Sequence, residues 1–167
     1  MARKPARART VNRLLPLTAL ATLVVDQATK VYVLSVLDLD RALVYPVFSP
    51  WLEFRMAWNE GMNFGLLSSR GDVVRWFLIL LAVAISVWMW RWAARSPANR
   101  AMQVFAGLLV GGAIGNVVDR LLYGAVADFL NMSAPWLDNP FSFNVADIAI
   151  FVGALGLVLV SGRDKTP

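Results

Sequence analysis

Residues 111–129 constrain this chain most, because they are apolar enough to enter a bilayer and yet carry four strongly polar side chains. An Asp or Arg at the centre of a membrane helix costs roughly 2.5–3.5 kcal/mol, whereas each Leu or Val returns only about 0.3–0.6 kcal/mol. One charge therefore cancels roughly six apolar residues unless it finds a partner or reaches water. Such a cluster predicts a functional site, and its members are Asn116, Asp119, Arg120 and Asp128.

The composition indicates an integral membrane protein. Hydrophobic residues make up 58% of the 167 residues and charged residues only 16%. The absence of Cys and His excludes thiol nucleophiles, thiolate metal sites and histidine as a general base or zinc ligand. Any catalysis must therefore use carboxylates, Lys, hydroxyls or backbone groups. The net charge of +5 does not predict a nucleic-acid partner, because the basic residues do not form a patch between aromatic residues.

Hydropathy predicts an all-α membrane protein with a single domain over residues 1–167. Each apolar stretch is about long enough to cross a hydrocarbon core of roughly 30 Å. The first stretch is interpreted as a retained helix, because it exceeds the apolar core of a signal peptide and contains Asp26 and Lys30. The four predicted membrane helices cover about residues 14–37, 75–92, 102–123 and 143–160.

The distribution of charge predicts the orientation. Excess Lys and Arg lie in the two termini and in the 93–101 loop, whereas segments 38–72 and 124–142 carry more acid than base. The positive-inside rule then places both termini in the cytoplasm. Within 38–72, apolar and polar residues alternate from Leu52 to Trp58, and a partner strand is available at 44–48. This alternation predicts a small periplasmic β-sheet at the membrane surface.

Three local patterns each leave two interpretations open. Asp26 and Lys30, at i and i+4, predict either a structural ion pair or polar contacts in a pocket. Asn59 lies in a predicted turn that either connects two elements or presents a polar side chain to a cavity. Closely spaced glycines permit close approach of another helix or of a substrate chain. These glycines are Gly107, Gly111, Gly112 and Gly115.

Two aspartates are expected at the same depth near the outer leaflet. Asp128 follows the third helix, and Asp147 lies one turn inside the fourth. Asn144 and Asp147 also fit a capping arrangement, and Asp128 fits an Asx turn. The functional alternative is a pair of carboxylates that share one proton, so that one activates water while the other polarises a carbonyl.

Four sequence blocks together resemble the bacterial lipoprotein signal peptidase (signal peptidase II) family. They are DQATK at 26–30, NEGMNFG at 59–65, GGAIGNVVDRLLYGAVADF at 111–129 and FNVADIAI at 143–150. The resemblance implies an aspartyl endopeptidase with four helices in the inner membrane, a small periplasmic sheet and an active site toward the outer face. We expect it to be a monomer. Its substrates would be prolipoproteins, cleaved before a diacylglyceryl-modified Cys without a metal or cofactor.

By motif position, the resemblance places the catalytic pair at Asp128 and Asp147. The chain departs from many family members at Met62 and Asn63, which affects the rim of the pocket. Supporting or substrate-contacting roles fall on Asp26, Lys30, Asn59, Gly112, Asn116, Asp119, Arg120 and Asn144.

Two other classes of protein provide alternatives. A small proton-coupled transporter or channel subunit would also carry intramembrane charges, but near the midplane and often with internal repeats. Here the acids lie toward one face, and no repeat is visible. A noncatalytic assembly protein held by glycine-rich helix contacts would not explain why Asp128 and Asp147 are present. The peptidase interpretation is therefore favoured.

Overall fold

The computed structural model describes residues 13–61 and 71–161. The basic arm at 1–12, the segment 62–70 with Met62 and Asn63, and the basic residues Arg163 and Lys165 lie outside the described residues. The helices are α1 Leu14–Val31, continued by a π-helical turn Tyr32–Val36, α2 Leu39–Ala42, α3 Gly71–Ala93, α4 Arg100–Tyr123 and α5 Val145–Ser161. The strands are β1 Val44–Phe48, β2 Leu52–Asn59 and β3 Val126–Asn131.

The predicted helical architecture with a small sheet is confirmed. Among the described residues, three helical segments are long and apolar enough to cross a membrane: Leu14–Val36, Asp72–Ala93 and Arg100–Tyr123. The fourth predicted helix is α5, which is apolar but has only 17 residues. The second helix is longer than the predicted 75–92, since it begins at Gly71.

Helix α4 has well-defined caps at both ends. The Asn99 side chain accepts a hydrogen bond from the Met102 backbone N–H at 3.0 Å, which supplies a partner for a free amide of the first turn. Gly124 ends the helix with a φ of 83°, a left-handed conformation that glycine adopts without steric cost. These caps fix where α4 stops, and strand β3 starts two residues later.

Glycines let α1 and α5 approach opposite sides of α4. Gly107, Gly111 and Gly115 face α1. Gly112 faces α5, where an added Cβ would lie 2.5 Å from the backbone oxygen of Ala146. Small residues drive this kind of association in membranes, because lipid provides no hydrophobic force between helices. In this structure these glycines therefore allow close helix packing.

Two clusters of buried apolar residues mark the two ends of the molecule. Leu15, Met89, Met102 and Leu157 share one cluster, so the start of α1, the end of α3, the start of α4 and the end of α5 lie together. The other cluster contains Val33, Leu39 and Phe129 and lies beneath the sheet. The sheet is therefore at the opposite end from the loop that joins α3 to α4.

The sheet has three antiparallel strands in the order β1-β2-β3. Phe54 of β2 packs edge-on against Phe129 of β3 with ring centroids 5.7 Å apart, as expected for the apolar face of an alternating strand. The sequence did not predict β3. Because Asp128 lies in this strand, opposite Ala57, its interpretation as part of an Asx turn is wrong.

We expect Gly112→Ala to lower the thermal unfolding midpoint in detergent. The new methyl group would meet the Ala146 carbonyl, a backbone atom that cannot move independently. Overpacking of this kind costs about 1–3 kcal/mol, more than the gain of about 1 kcal/mol in helix propensity. Leu122→Ala, at an exposed position on the same helix, serves as the control. An unchanged midpoint for Gly112→Ala would contradict the close contact of α4 with α5.

Candidate active site

Asp128 and Asp147 are connected by two asparagine side chains. Asn144 Nδ2 donates to Asp128 Oδ1 at 2.6 Å and to Asn116 Oδ1 at 3.2 Å. Asn116 Nδ2 in turn donates to Asp147 Oδ1 at 2.9 Å. A continuous chain of hydrogen bonds therefore joins the carboxylate on β3 to the carboxylate on α5.

Asp147 also forms the predicted capping arrangement at the start of α5. Its backbone N–H donates to Asn144 Oδ1 at 2.9 Å, while the Asn144 N–H donates to Asp147 Oδ2 at 3.3 Å. This reciprocal pair is a capping box, and the helix dipole at this end favours a negative charge. The structural and functional interpretations of these two residues are therefore compatible.

Asn59 belongs both to a turn and to the carboxylate cluster. Its Oδ1 accepts from the Gly61 backbone N–H at 3.0 Å, where Gly61 has a φ of 103°. Its Nδ2 donates to Asp128 Oδ2 at 3.0 Å. The turn thus orients the amide, and the end of β2 presents it to Asp128, so the two interpretations of Asn59 also coincide.

A buried ion triad lies directly below this cluster. Lys30 Nζ is 2.9 Å from Asp26 Oδ2, 2.8 Å from Asp119 Oδ2 and 3.3 Å from Asn116 Oδ1. These partners account for all three donors of an ammonium group. Lys30 is 1% exposed, and Asp26 and Asp119 are 0% exposed. The predicted pairing of Asp26 with Lys30 is therefore present, and Asp119 completes the triad.

The triad holds the backbone beside each candidate carboxylate. Asp119 Oδ2 accepts the N–H of Ala127 at 3.1 Å, next to Asp128. Asp26 Oδ1 accepts the N–H of Ala146 at 2.9 Å, next to Asp147. One network of charges therefore positions both β3 and the first turn of α5.

Gln27 is a member of this network that sequence reasoning did not select. Its Nε2 lies 3.0 Å from Asp119 Oδ1, 3.1 Å from Asp26 Oδ2 and 3.2 Å from the Gly115 carbonyl oxygen. The available signal was a further polar residue within a membrane segment, directly beside Asp26. Gln27 therefore bridges α1 and α4 next to the triad.

The remaining predicted site residues lie at the edge of the cluster or outside it. Arg120 is half-buried, and its Nη1 donates to the Asn116 backbone oxygen at 3.4 Å. Its charge lies close enough to interact with Asp119, Asp128 and Asp147. Gly112 does not contact the carboxylates but lies where α4 meets α5.

The environment of Asp128 favours its protonated form. Burial raises the pKa of this carboxyl to about 6 from an ordinary value of 3.8, and the negative charge of Asp147 acts in the same direction. Hydrogen bonds from Asn59 and Asn144, and the charge of Lys30, oppose this rise in pKa. Asp128 is only 4% exposed, whereas Asp147 is half-buried. The two carboxyl groups therefore have different environments.

Comparison with known proteins decides the family of this chain. Residues 18–162 match the profile of the Peptidase A8 family, described as signal peptidase (SPase) II. The chain belongs to the signal peptidase II family. Family membership, together with the membrane-spanning helices, supports a multi-pass inner-membrane peptidase that removes signal peptides from prolipoproteins.

Individual relatives agree with this membership in the signal peptidase II family. The chain is 40% identical over 145 residues to a lipoprotein signal peptidase of Methylorubrum extorquens (strain PA1), covering 86% of this chain and 82% of the relative. It is 37% identical over 161 residues to that of Xylella fastidiosa (strain M12), covering 90% and 92%. A bacterial membrane enzyme solved by the in meso method at 2.3 Å resolution superposes with a TM-score of 0.73, at 25% identity, covering 90% of this chain and 88% of that one.

We expect Lys30→Met to destabilise the protein strongly. The substitution roughly conserves volume but leaves the carboxylates of Asp26 and Asp119 buried without their counter-ion. Removing one partner of a buried ion pair costs roughly 3–5 kcal/mol. Thermal unfolding in detergent measures the effect.

Arg41→Met is the matched control for Lys30→Met. Arg41 pairs with Asp38 at 3.5 Å, and their side chains are 86% and 58% exposed, respectively. Because exposed ion pairs contribute little to stability, we expect little change in the unfolding midpoint of Arg41→Met. Equal midpoints for the two variants would show that the triad does not stabilise the fold.

The raised pKa of Asp128 predicts a pH dependence of stability. Because the folded protein binds this proton more tightly than the unfolded chain, the contribution of Asp128 to stability falls as pH rises from about 4 to about 6. We therefore expect the unfolding midpoint of Asp128→Asn, measured relative to that of the unmodified protein at the same pH, to rise as the pH increases from about 4 to about 6. The substitution also alters hydrogen bonds, which shifts the midpoint at every pH. The test is therefore how the difference between the two midpoints changes with pH. A difference that is constant from pH 4 to pH 7 would contradict the raised pKa.

Proposed function

We propose that the chain is an aspartic endopeptidase that cleaves prolipoproteins before a diacylglyceryl-modified Cys, with Asp128 and Asp147 as the catalytic dyad. The hydrogen-bonded connection between these two carboxylates through Asn116 and Asn144 carries this proposal. Two close carboxyl groups share one proton, which makes one of them an acid and the other a base. Membership of the signal peptidase II family supports the substrate class.

The two environments support a division of roles within the dyad. Asp128, whose pKa is raised to about 6, keeps the shared proton and donates it toward the oxygen of the scissile carbonyl. Asp147, half-buried at the start of α5, acts as the base that takes a proton from water. The water oxygen then bonds to the carbonyl carbon. Collapse of this intermediate breaks the C–N bond as the leaving amine accepts the proton that Asp147 took from water, and the former carbonyl oxygen returns its proton to Asp128.

The other predicted residues support this chemistry in distinct ways. Asn59, Asn116 and Asn144 orient the two carboxyl groups by direct hydrogen bonds. The triad of Asp26, Lys30 and Asp119 holds the backbone beside them. In this proposal Arg120 contacts the substrate at the half-buried edge of the site, and Gly112 keeps α5 close to α4.

The proposed topology has four membrane spans with both termini in the cytoplasm. At about 1.5 Å per residue, the 17 residues of α5 extend about 26 Å, near the lower limit for a membrane span. Arg13, Arg91, Arg95 and Arg100 lie at the end of the bundle opposite the sheet, which agrees with the positive-inside rule. The dyad would then lie near the outer leaflet, where a lipidated Cys keeps its acyl chains and water can reach the scissile bond.

We further propose that the functional unit is one monomer, a single integral domain in the lipid bilayer. In this proposal it acts without a metal, an organic cofactor or a nucleic acid. The dyad and its asparagines supply the acid, the base and their orientation, so the proposed reaction needs no additional group.

Cleavage of a diacylglyceryl-modified prolipoprotein by the purified chain tests the function. Asp128→Asn and Asp147→Asn should each lower kcat by about 10²–10⁴-fold, because each removes one partner of the acid–base pair. Asp72→Asn is the control, since this carboxylate lies at the start of α3 with its side chain 82% exposed. Mass spectrometry of the product identifies the bond that is cut.

A second substrate, with the lipidated Cys replaced by unmodified Ser, tests the substrate class. We expect it not to be cleaved. Full activity of either dyad variant would overturn the aspartic mechanism, whereas equal cleavage of both substrates would overturn the requirement for the lipid. If the unmodified protein cuts neither substrate, the transporter alternative should be tested.

A further inference from the structure

A groove runs along one face of α3, away from the candidate active site. Its volume is about 530 Å³. The lining positions recur every three or four residues, so they form one stripe along the helix. The lining residues are Ala84, Val87, Trp88, Arg91, Trp92 and Arg95.

This groove opens away from the protein core. Val87 is 51% exposed and Trp88 is 66% exposed, while Met89 and Ala93 on the other side of α3 are buried in the apolar cluster with α1 and α4. Because Asp72–Ala93 is long and apolar enough to cross a membrane, an exposed face here meets lipid rather than water. A molecule that occupies this groove would therefore lie within the bilayer.

The polarity of the groove changes along its length. Ala84 and Val87 are apolar, whereas Arg91 and Arg95 are cationic and one helical turn apart. Like charges at this spacing repel each other unless they share an anion. Within residues 13–61 and 71–161, neither arginine has a carboxylate in an ion pair.

The dimensions match one leaflet of a bilayer. From Ala84 to the end of α3 at Ala93 the helix rises about 14 Å, and Arg95 follows two residues later. Half of a hydrocarbon core is about 15 Å thick. With Arg95 at headgroup level, the apolar part of the groove therefore extends most of the way to the midplane. Trp88 lies between the apolar part and the arginines, and Trp92 lies between the two arginines, at the level where tryptophan is favoured at the interface.

We propose that this groove binds one anionic phospholipid of the leaflet on the side of the α3–α4 loop. Arg91 and Arg95 hold the phosphate by charge-assisted hydrogen bonds, and one acyl chain lies against Ala84 and Val87 beside the indole of Trp88. Arginines that only set the orientation of a helix in the membrane would need positive charge but no groove, as is the case for Arg100 at the start of α4. The proposal does not depend on the peptidase activity.

Native mass spectrometry of the full chain in detergent tests this site. Phosphatidylglycerol and phosphatidylcholine with identical acyl chains are titrated separately, and the dissociation constant of the first bound lipid is measured. We expect tighter binding of phosphatidylglycerol. Arg91→Gln with Arg95→Gln should weaken that binding about 30-fold, which corresponds to about 2 kcal/mol for two arginines. Both side chains are exposed, so the double variant should keep its unfolding midpoint.

Arg100→Gln is the matched control, because this arginine lies at the same end of the bundle but does not line the groove. Trp88→Ala should weaken the binding of both lipids, since it removes a wall that contacts the acyl chain. Arg91→Gln and Arg95→Gln are also measured singly, and a loss of affinity for phosphatidylglycerol no larger than that of Arg100→Gln would overturn the proposal in favour of general attraction to anionic lipid. Equal affinity for the two lipids would overturn the assignment to an anionic headgroup.

Discussion

The ion triad of Lys30 with Asp26 and Asp119 is the interaction on which the rest of the structure depends. Three charges buried at 0–1% exposure inside a membrane protein persist only because Lys30 pairs with both carboxylates and because the remaining hydrogen-bonding capacity is used. The two aspartates use that capacity on the backbone N–H groups of Ala127 and Ala146. The same contacts that satisfy the charges therefore fix the strand and the helix that carry the candidate dyad.

Close helix packing makes this triad possible. Gly115 faces the Asp26 carboxylate, and a methyl group at this position would occupy the space of that side chain. On the other side of α4, Gly112 lets the first turn of α5 approach closely enough for Ala146 to reach Asp26. Glycine is thus required here by contacts between helices, although it lowers the propensity of α4 to be helical.

The two candidate carboxyl groups are held in unlike settings, which is the physical basis for the different roles proposed for them. Asp128 is buried in a strand and receives amide hydrogen bonds from Asn59 and Asn144. Asp147 is half-buried in the capping box at the start of α5, where its Oδ2 accepts the Asn144 backbone N–H. The small sheet is essential to this difference, because β2 and β3 bring Asn59 and Asp128 together at the end of the bundle.

Features that depend on local spacing and on transfer from water to lipid could be predicted from the amino-acid sequence alone. These include the long apolar helices, the Asp26–Lys30 pair at i and i+4, and the capping box of Asn144 and Asp147. Motif resemblance also selected the candidate site residues. Only the tertiary structure decided that Asp119 joins Lys30, that β3 completes the sheet, and that Gln27 belongs to the network. These contacts join segments that are far apart in the chain, and neither hydropathy nor helical periodicity specifies which buried polar groups will meet.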